Sequence, residues 1–540
     1  MLFNSYTFLF GFLPIVLAGF YVLGARRREW ALLWLTAVSL LFYAWWRPIN
    51  VLLIAPSILI NYGLARCLER TGEARPAMAR AILVAGIVFN LSFLGYFKYL
   101  NFVEGALNDA FGVGFTLTQL ILPLGISFIT FQKIAFLVDV HGGRVSRYSL
   151  ADYGLFVLFF PQLIAGPIVH YREMMPQFRA APCRFDAENV AVGVSLFFFG
   201  LAKKLVLADP LSHLVAPIYG QAAAGVPQSI TEAWIAALGF TLQIYFDFSG
   251  YSDMALGLAR FFGIKLPVNF NSPLKATSII DFWLRWHVSL TRFLTAYIYN
   301  PLTLSLTRKR MAQGKPIFGG RNTNFPAFIN LLAMPTMLTM LISGIWHGAG
   351  YTYILWGSLH GVLLCINHAW RSVRSRIWSN TKQYNRRVAP IGFVLTFVSV
   401  VGAMVLFRAP SFSAALMLWK GMIGVYGATL PQAVFSRLGS IAAWLTAIGV
   451  RPAWTSGSLL MAATIRIGLL LGIALLMPNT LQMLAAFEPA LGVKPAKAPS
   501  RLERALTWAP SGTWAVGLAC VALAGILSLG ELSEFLYWQF

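Results

Sequence analysis

The chain alternates long apolar runs with short polar or basic breaks. Apolar stretches lie near 7–23, 31–46, 50–65, 80–97, 117–138, 150–165, 190–208, 232–259, 327–346, 351–369, 390–407, 458–477 and 512–530. Most are long enough to cross the ~30 Å hydrocarbon core of a bilayer as a helix. The pattern predicts an all-α polytopic membrane protein of about eleven to thirteen membrane helices. Several runs are broken by Pro123, Pro161, Gly166-Pro167 and Pro335. Irregular backbone at membrane depth must be buried in protein or line a wet cavity, so a simple up-down bundle is not expected.

The polar breaks give a topology. No Lys or Arg precedes the first run and Arg26-Arg27-Arg28 follow it, which argues against a cleaved signal peptide and puts the N-terminus outside. Further basic clusters run from Arg308-Lys309-Arg310 to Arg321, from Arg371 to Arg387 and from Lys494 to Arg504. By the positive-inside rule they face the cytoplasm. Of 540 residues, 58% are hydrophobic and 11% charged, far from soluble usage. The net charge of +23 is met by topology and attraction to anionic membrane lipids, with some residues left to hold phosphates. No nucleic acid is needed to account for it.

Cys67, Cys183, Cys365 and Cys520 are isolated and read as small packing residues. His360 and His368 stand at i, i+8, too far apart for one ion, and no metal site is expected. Residues 1–540 read as one membrane domain. Within it, 410–456 suggests a surface hairpin or amphipathic helices and 485–511 a polar loop, both peripheral to the polar motifs.

Those motifs concentrate between 240 and 350. His347 sits in Ser343-Gly344-Ile345-Trp346-His347-Gly348 at an apolar helix end, and His287 closes Asp281-Phe-Trp-Leu-Arg285-Trp286-His287. Intramembrane ionisable groups are costly and mark functional sites. Asp247 and Tyr251 lie in the aromatic helix Phe240–Asp253. Asp247 would cost about 2.5–3.5 kcal/mol unpaired at a bilayer centre, so it either fastens helices or lines the site, with Arg260, Lys265 and Arg285 as candidate partners. The segment Gly263–Pro273, with Asn269 and Asn271, forbids a continuous spanning helix and suggests an inward-folding loop. Asp281 and Arg285 form an i, i+4 pair on a helix. Arg285 and His287 beside Trp283 and Trp286 suit either the entry of a phosphate-bearing donor into an apolar passage or an interfacial aromatic belt with a snorkelling Arg.

Phe-Asp247-Phe-Ser-Gly-Tyr251-Ser-Asp-Met, Phe-Trp-Leu-Arg-Trp-His287 and Ile-Trp-His347-Gly-Ala occur in this order. The sequence thereby resembles the membrane-bound O-acyltransferase family. Phe160-Pro161-Gln162-Leu163-Ile164-Ala165-Gly166-Pro167-Ile168 and Pro478-Asn479-Thr480 are similar to its bacterial branch of alginate O-acetylation proteins and D-alanyl transferases. The resemblance covers most of 1–480, with the densest motifs in 156–360. It implies a ring of tilted, partly broken helices around a central tunnel in the bacterial inner membrane. His347 matches the family's invariant histidine and His287 its second polar position. It also implies cytosolic acetyl-CoA as the acyl-donor substrate, with no bound cofactor. The acceptor is implied to be a periplasmic acetyl-accepting or acetyl-transferring protein, or an exopolysaccharide. After His287 the sequence departs from the pattern: Ser289–Leu302 lacks the tryptophan and the Arg-Asp pair expected before the Tyr-Ile-Pro-Leu element, which leaves the acceptor open.

Thioester-to-hydroxyl transfer needs a base for the nucleophile and donors for the developing oxyanion. His347 is expected to be the base, a role worth about 10²–10⁴-fold. His287, Tyr251, or an indole N–H such as those of Trp286 and Trp346 would orient the acceptor or bind the oxyanion. Arg285, Lys275 and Arg310 are candidates for the donor phosphates. Two other classes fit the same polar residues. One is a proton-coupled transporter or flippase with His347, His287 and Asp247 as a relay, which would move substrate without consuming acetyl-CoA. The other is a scaffold indifferent to His347→Ala. One tension stands: if 327–346 runs straight outward from a cytoplasmic 308–321, then ~20 residues at ~1.5 Å each carry His347 close to the outer face.

Overall fold

The computed structural model describes residues 1–72, 74–115, 120–318, 324–378, 380–453, 457–530 and 536. Arg321, positions 117–119 of one apolar stretch and positions 454–456 of the 410–456 segment lie outside the described residues. Each of the thirteen apolar stretches carries helix. Among the described residues, seven helices are long and apolar enough to span a membrane: Thr7–Arg26, Ile49–Thr71, Pro76–Phe111, Ala187–Ala223, Phe325–His347, Gln383–Arg408 and Gly512–Gly530. The other stretches are helical but shorter, interrupted or more polar, such as Ile126–His141, Leu150–Leu158 and Tyr351–Ile377. The protein is an all-α, multi-pass membrane protein.

Its axis is the 32-residue helix Ile230–Phe261, opened by a capping box in which Ser229 Oγ accepts from Glu232 N–H and the Glu232 carboxylate accepts from Ser229 N–H. Two glycine pairs let Ala187–Ala202 lie against it at backbone distance. A Cβ on Gly200 would stand 2.5 Å from the Gly250 carbonyl oxygen, and one on Gly257 would stand 2.5 Å from that of Gly193. Small residues at such crossings are how membrane helices approach closely.

One face of the molecule gathers basic residues. The Arg28 guanidinium donates to the Arg179 carbonyl, and Arg179 reaches the Arg147 carbonyl and Asp152. Tyr21 there caps the end of the long helix at the Phe261 carbonyl, 2.6 Å away, and Gln177 bonds Lys265. At the opposite face Tyr6 reaches the Ile526 carbonyl and Ile230 N–H bonds the Gly427 carbonyl. Arg28, Arg147, Arg179 and Lys265 thus share one end of the molecule.

Part of 410–456 packs inward. Ala414, Ala415 and Leu418 of Phe412–Met422 are buried, and the Trp419 indole donates to the Gly402 carbonyl at 3.0 Å. The strands Ala428–Pro431 and Val450–Ala453 pair in parallel and so form no hairpin. The two short helices Gln432–Phe435 and Ser440–Ala447 between them supply the crossover that parallel strands need. Leu491 of the 485–511 segment donates to the Leu266 carbonyl at 2.9 Å, tying that segment to the basic-face loop.

Candidate active site

The segment Gly263–Pro273 folds inward as expected, and Asn269 within it anchors the next short helix of the site. Asn269 takes Val288 N–H on its carbonyl at 2.9 Å and Ser289 Oγ on its side chain at 2.9 Å, while its amide donates to Ser252 of the long helix at 3.1 Å. The start of helix Val288–Leu294 is therefore pinned to the axis of the fold. His287, the residue just before it, has φ +44 and is fully buried. A non-glycine residue in the left-handed region is sterically disfavoured, and such backbone gathers at functional sites.

His347 ends the helix Met334–His347, where Gly344 and Gly357 bring it against Tyr351–Ile377. A Cβ on Gly344 would stand 2.3 Å from the Tyr353 carbonyl oxygen. Three carbonyls of its last turn are capped from the π-helical segment Gly95–Tyr99. Tyr99 donates to Ile345 at 2.7 Å, and Lys98 to Trp346 at 2.5 Å and His347 at 3.1 Å. Helix ends leave such carbonyls unsatisfied unless something caps them.

These two supports bring the imidazoles of His287 and His347 to 6.0 Å, centroid to centroid. A small cavity of about 10 Å³ lies between them, walled by Ile244, Phe248, Trp286, Trp356, Met404 and Phe407, roughly the room of one water. Trp356 and Phe407 stand edge-on to His347 at 5.1 and 5.2 Å, and Phe248 edge-on to His287 at 4.8 Å. His347 also lines a second pocket of about 220 Å³ with Trp46, Arg47, Lys98, Ser127 and Trp346. Trp46 and Arg47 lie at the far end of Arg28–Trp46 from the Arg26–Arg28 cluster, so this pocket belongs to the face opposite the basic one. The tension over depth is met there, because the pocket comes down to His347. A third pocket, about 470 Å³, adjoins His287 through Val288 and is lined by Asn271, Leu284, Lys494 and Glu503.

The remaining expected residues divide. Trp286 walls the small cavity and Trp346 the outer pocket. Asn271 lines the third pocket, and Arg285 beside it pairs with Asp281 at 2.8 Å, the i, i+4 contact expected. Lys275 caps the Met477 carbonyl at 2.6 Å, and Arg310 bonds the Pro316 carbonyl within its own turn. Tyr251 stacks on Phe3 at 4.9 Å. Asp247 pairs with Lys204 at 2.6 Å, not with Arg260, Lys265 or Arg285. The π-helical segment Lys203–Ala208 aims Lys204 at the long helix, and Lys203 pairs with Asp253 one turn and a half further along.

Sequence reasoning missed Lys98, Lys204, Trp356 and a role for His360. His360 is fully buried, 4.7 Å from Trp356, and receives the Trp283 indole N–H at 3.3 Å. Lys204 was signalled as a charge inside an apolar run and Lys98 as one at the end of a run; their partners come from distant helices, which no local spacing reveals.

The sequence model described as MBOAT, membrane-bound O-acyltransferase family, matches residues 142–314. The peptidoglycan O-acetyltransferase of Helicobacter pylori is 39% identical over 80% of this chain and 81% of its own length. The probable alginate O-acetylase AlgI of Pseudomonas aeruginosa is 38% identical over 78% of this chain and 75% of its own. The teichoic acid D-alanyltransferase of Streptococcus thermophilus is 30% identical over 53% of this chain and 68% of its own.

Proposed function

The chain belongs to the membrane-bound O-acyltransferase family, and from that premise we propose that it carries an acetyl group from cytosolic acetyl-CoA across the bacterial inner membrane to a hydroxyl on the other side. The acceptor is a periplasmic partner protein or an exopolysaccharide, in keeping with relatives named for alginate and peptidoglycan O-acetylation. One observation carries the reading: His347 is at once a wall of the pocket opposite the basic face and a wall of the cavity it shares with His287. A residue so placed can meet an acceptor from one side and a thioester from the other.

His347 takes the proton of the acceptor hydroxyl as its oxygen attacks the thioester carbonyl. The C–S bond then breaks and the departing CoA thiolate takes that proton back from His347, leaving as its thiol with the imidazole neutral again and without a covalent enzyme intermediate. The developing oxyanion needs a donor within the cavity. Trp356 supplies a buried indole N–H with no hydrogen-bond acceptor among the described residues, and it lines the same cavity as His347. His287 orients the acceptor or shares this load. The donor approaches from the basic face through the pocket lined by Asn271 and Lys494, bordered by Arg285 and Lys275, while Arg310 contributes general positive potential at that face.

The test is transfer of labelled acetyl from acetyl-CoA by purified protein and its His347→Ala variant. Loss of at least about 10²-fold in a variant with unchanged melting behaviour supports the reading. Near-normal acetyl ester formation by the variant contradicts it.

A further inference from the structure

The pocket of about 470 Å³ beside His287 is built from two distant parts of the chain. Val268, Asn271 and Leu284 line one side, and Leu481, Gln482 and Glu503 the other. Asn479, in the Pro478-Asn479-Thr480 motif, stands where the two sides meet. Its side-chain carbonyl accepts the Gln482 N–H at 2.8 Å and the Gln482 side chain accepts the Asn479 N–H at 2.8 Å, a capping box at the start of Thr480–Met483. Its side-chain amide donates to Asn271 Oδ1 at 3.1 Å and to Ser272 Oγ at 2.9 Å. Both ends of the side chain are thereby engaged, and its orientation is fixed, because the Gln482 N–H can be met only by the oxygen.

Capping explains only part of this. Serine and aspartate start a helix as well as asparagine does, but among them only asparagine sets two donors beside the capping oxygen. Those donors reach the loop that carries the site. Ser272 is buried in a left-handed backbone conformation at φ +48, and the Asn271 N–H donates at 2.9 Å to the carbonyl of Arg285, in the turn that leads to His287. On the other side Gln482 donates to Glu503 Oε1 at 3.0 Å. A run of hydrogen bonds thus passes from Asn271 through Asn479 and Gln482 to Glu503, along the edge of the pocket. Other contacts keep the segment attached without it: Lys275 reaches the Met477 carbonyl at 2.6 Å, and Leu491 the Leu266 carbonyl at 2.9 Å.

We propose that Asn479 is a positioning residue for the acyl donor, its amide latching the two walls of this pocket at the spacing in which the donor binds. It is absent from the described lining and acts through Asn271 and Gln482, which belong to it. The inference rests on the acyl-transfer reading above, in which the donor enters here, and adds the residue that holds the entry in shape. Asn479→Ser keeps a cap on Thr480–Met483, but its one short hydroxyl cannot also reach Asn271 and Ser272, so the cap and the latch can be separated.

Donor binding is measured by equilibrium dialysis of labelled acetyl-CoA against full-length purified protein carrying His347→Ala, so that no turnover intervenes. Asn479→Ser is expected to weaken binding at least about fivefold, the order set by the loss of two neutral hydrogen bonds, with the melting temperature unchanged. Ser272→Gly tolerates φ +48 and removes one of the two acceptors. It should weaken binding by less, and should add nothing to Asn479→Ser, the signature of one shared interaction. Unchanged affinity in Asn479→Ser, a loss that comes only with a lowered melting temperature, or effects of the two changes that multiply overturns the proposal. Should Asn479→Ser not fold, Ser272→Gly decides, and unchanged affinity there overturns it. Absence of saturable acetyl-CoA binding by the His347→Ala protein without these changes counts instead against the acyl-transfer reading, and the latch falls with it.

Discussion

The imidazoles of His287 and His347 stand 6.0 Å apart across a cavity about the size of one water, yet each is held by a different device. His347 ends a helix whose carbonyls are capped by Lys98 and Tyr99. His287 sits in a left-handed backbone conformation anchored through Asn269. The two supports can be broken independently.

Substitution of His287 separates ring chemistry from backbone shape. Asparagine tolerates φ +44 and can donate and accept hydrogen bonds, glycine tolerates the backbone only, and alanine does neither. Acetyl transfer is expected to fall in the order His, Asn, Gly, Ala, with alanine also the least heat-stable. A His287→Asn variant no more active than His287→Gly, assayed at matched protein levels, would mean that the side chain's hydrogen bonds do nothing in catalysis.

Gly344→Ala should push the His347 helix away from its neighbour, because the new Cβ meets the Tyr353 carbonyl. Overpacking of this kind costs about 1–3 kcal/mol, and three residues further on it displaces His347. A lowered melting temperature and a loss of transfer greater than the loss of protein are expected. Gly468→Ala, whose Cβ meets nothing within 4 Å, is the control and should change neither.

Lys204 and Asp247 are both almost fully buried and 2.6 Å apart. The Lys204 ammonium also lies 3.2 Å from Asp209, so Lys204→Met strands two carboxylates and should destabilise by at least about 3–5 kcal/mol, while an apolar Met–Leu pair at 204 and 247 together with Asp209→Asn should recover most of that. Since Asp247 faces Lys204 and is absent from the described walls of the small cavity, Lys204→Met with Asp247→Leu and Asp209→Asn should also recover transfer. Recovery of the melting temperature without activity would place Asp247 in the reaction.

Much of this was readable from residue order. Each of the thirteen apolar stretches carries helix among its described residues, because an apolar run of that length has few other ways to satisfy its backbone in a bilayer. The prolines and asparagines of 262–273 forced the inward loop, and the i, i+4 spacing of Asp281 and Arg285 gave their pair. The unreadable part depends on contacts between distant segments. Asp247 had several cations at plausible sequence distance, and the one that reaches it, Lys204, is set by a π-helical turn that widens the helix locally. The glycine pairs that set the helix spacing give no sign in sequence of which glycine faces which. Lys98 directly follows an apolar run, and its place at the last turn of the His347 helix comes from the fold alone.

The central claim is that His347 joins a donor and an acceptor arriving from opposite faces, and sealed vesicles of known orientation test it most directly. Labelled acetyl-CoA is supplied only at the face carrying Arg26–Arg28, and acetylated acceptor is collected only from the other compartment. The account predicts transfer in this arrangement, none when the donor is supplied at the opposite face, and none from His347→Ala in either. Equal transfer with the donor on either face would contradict it.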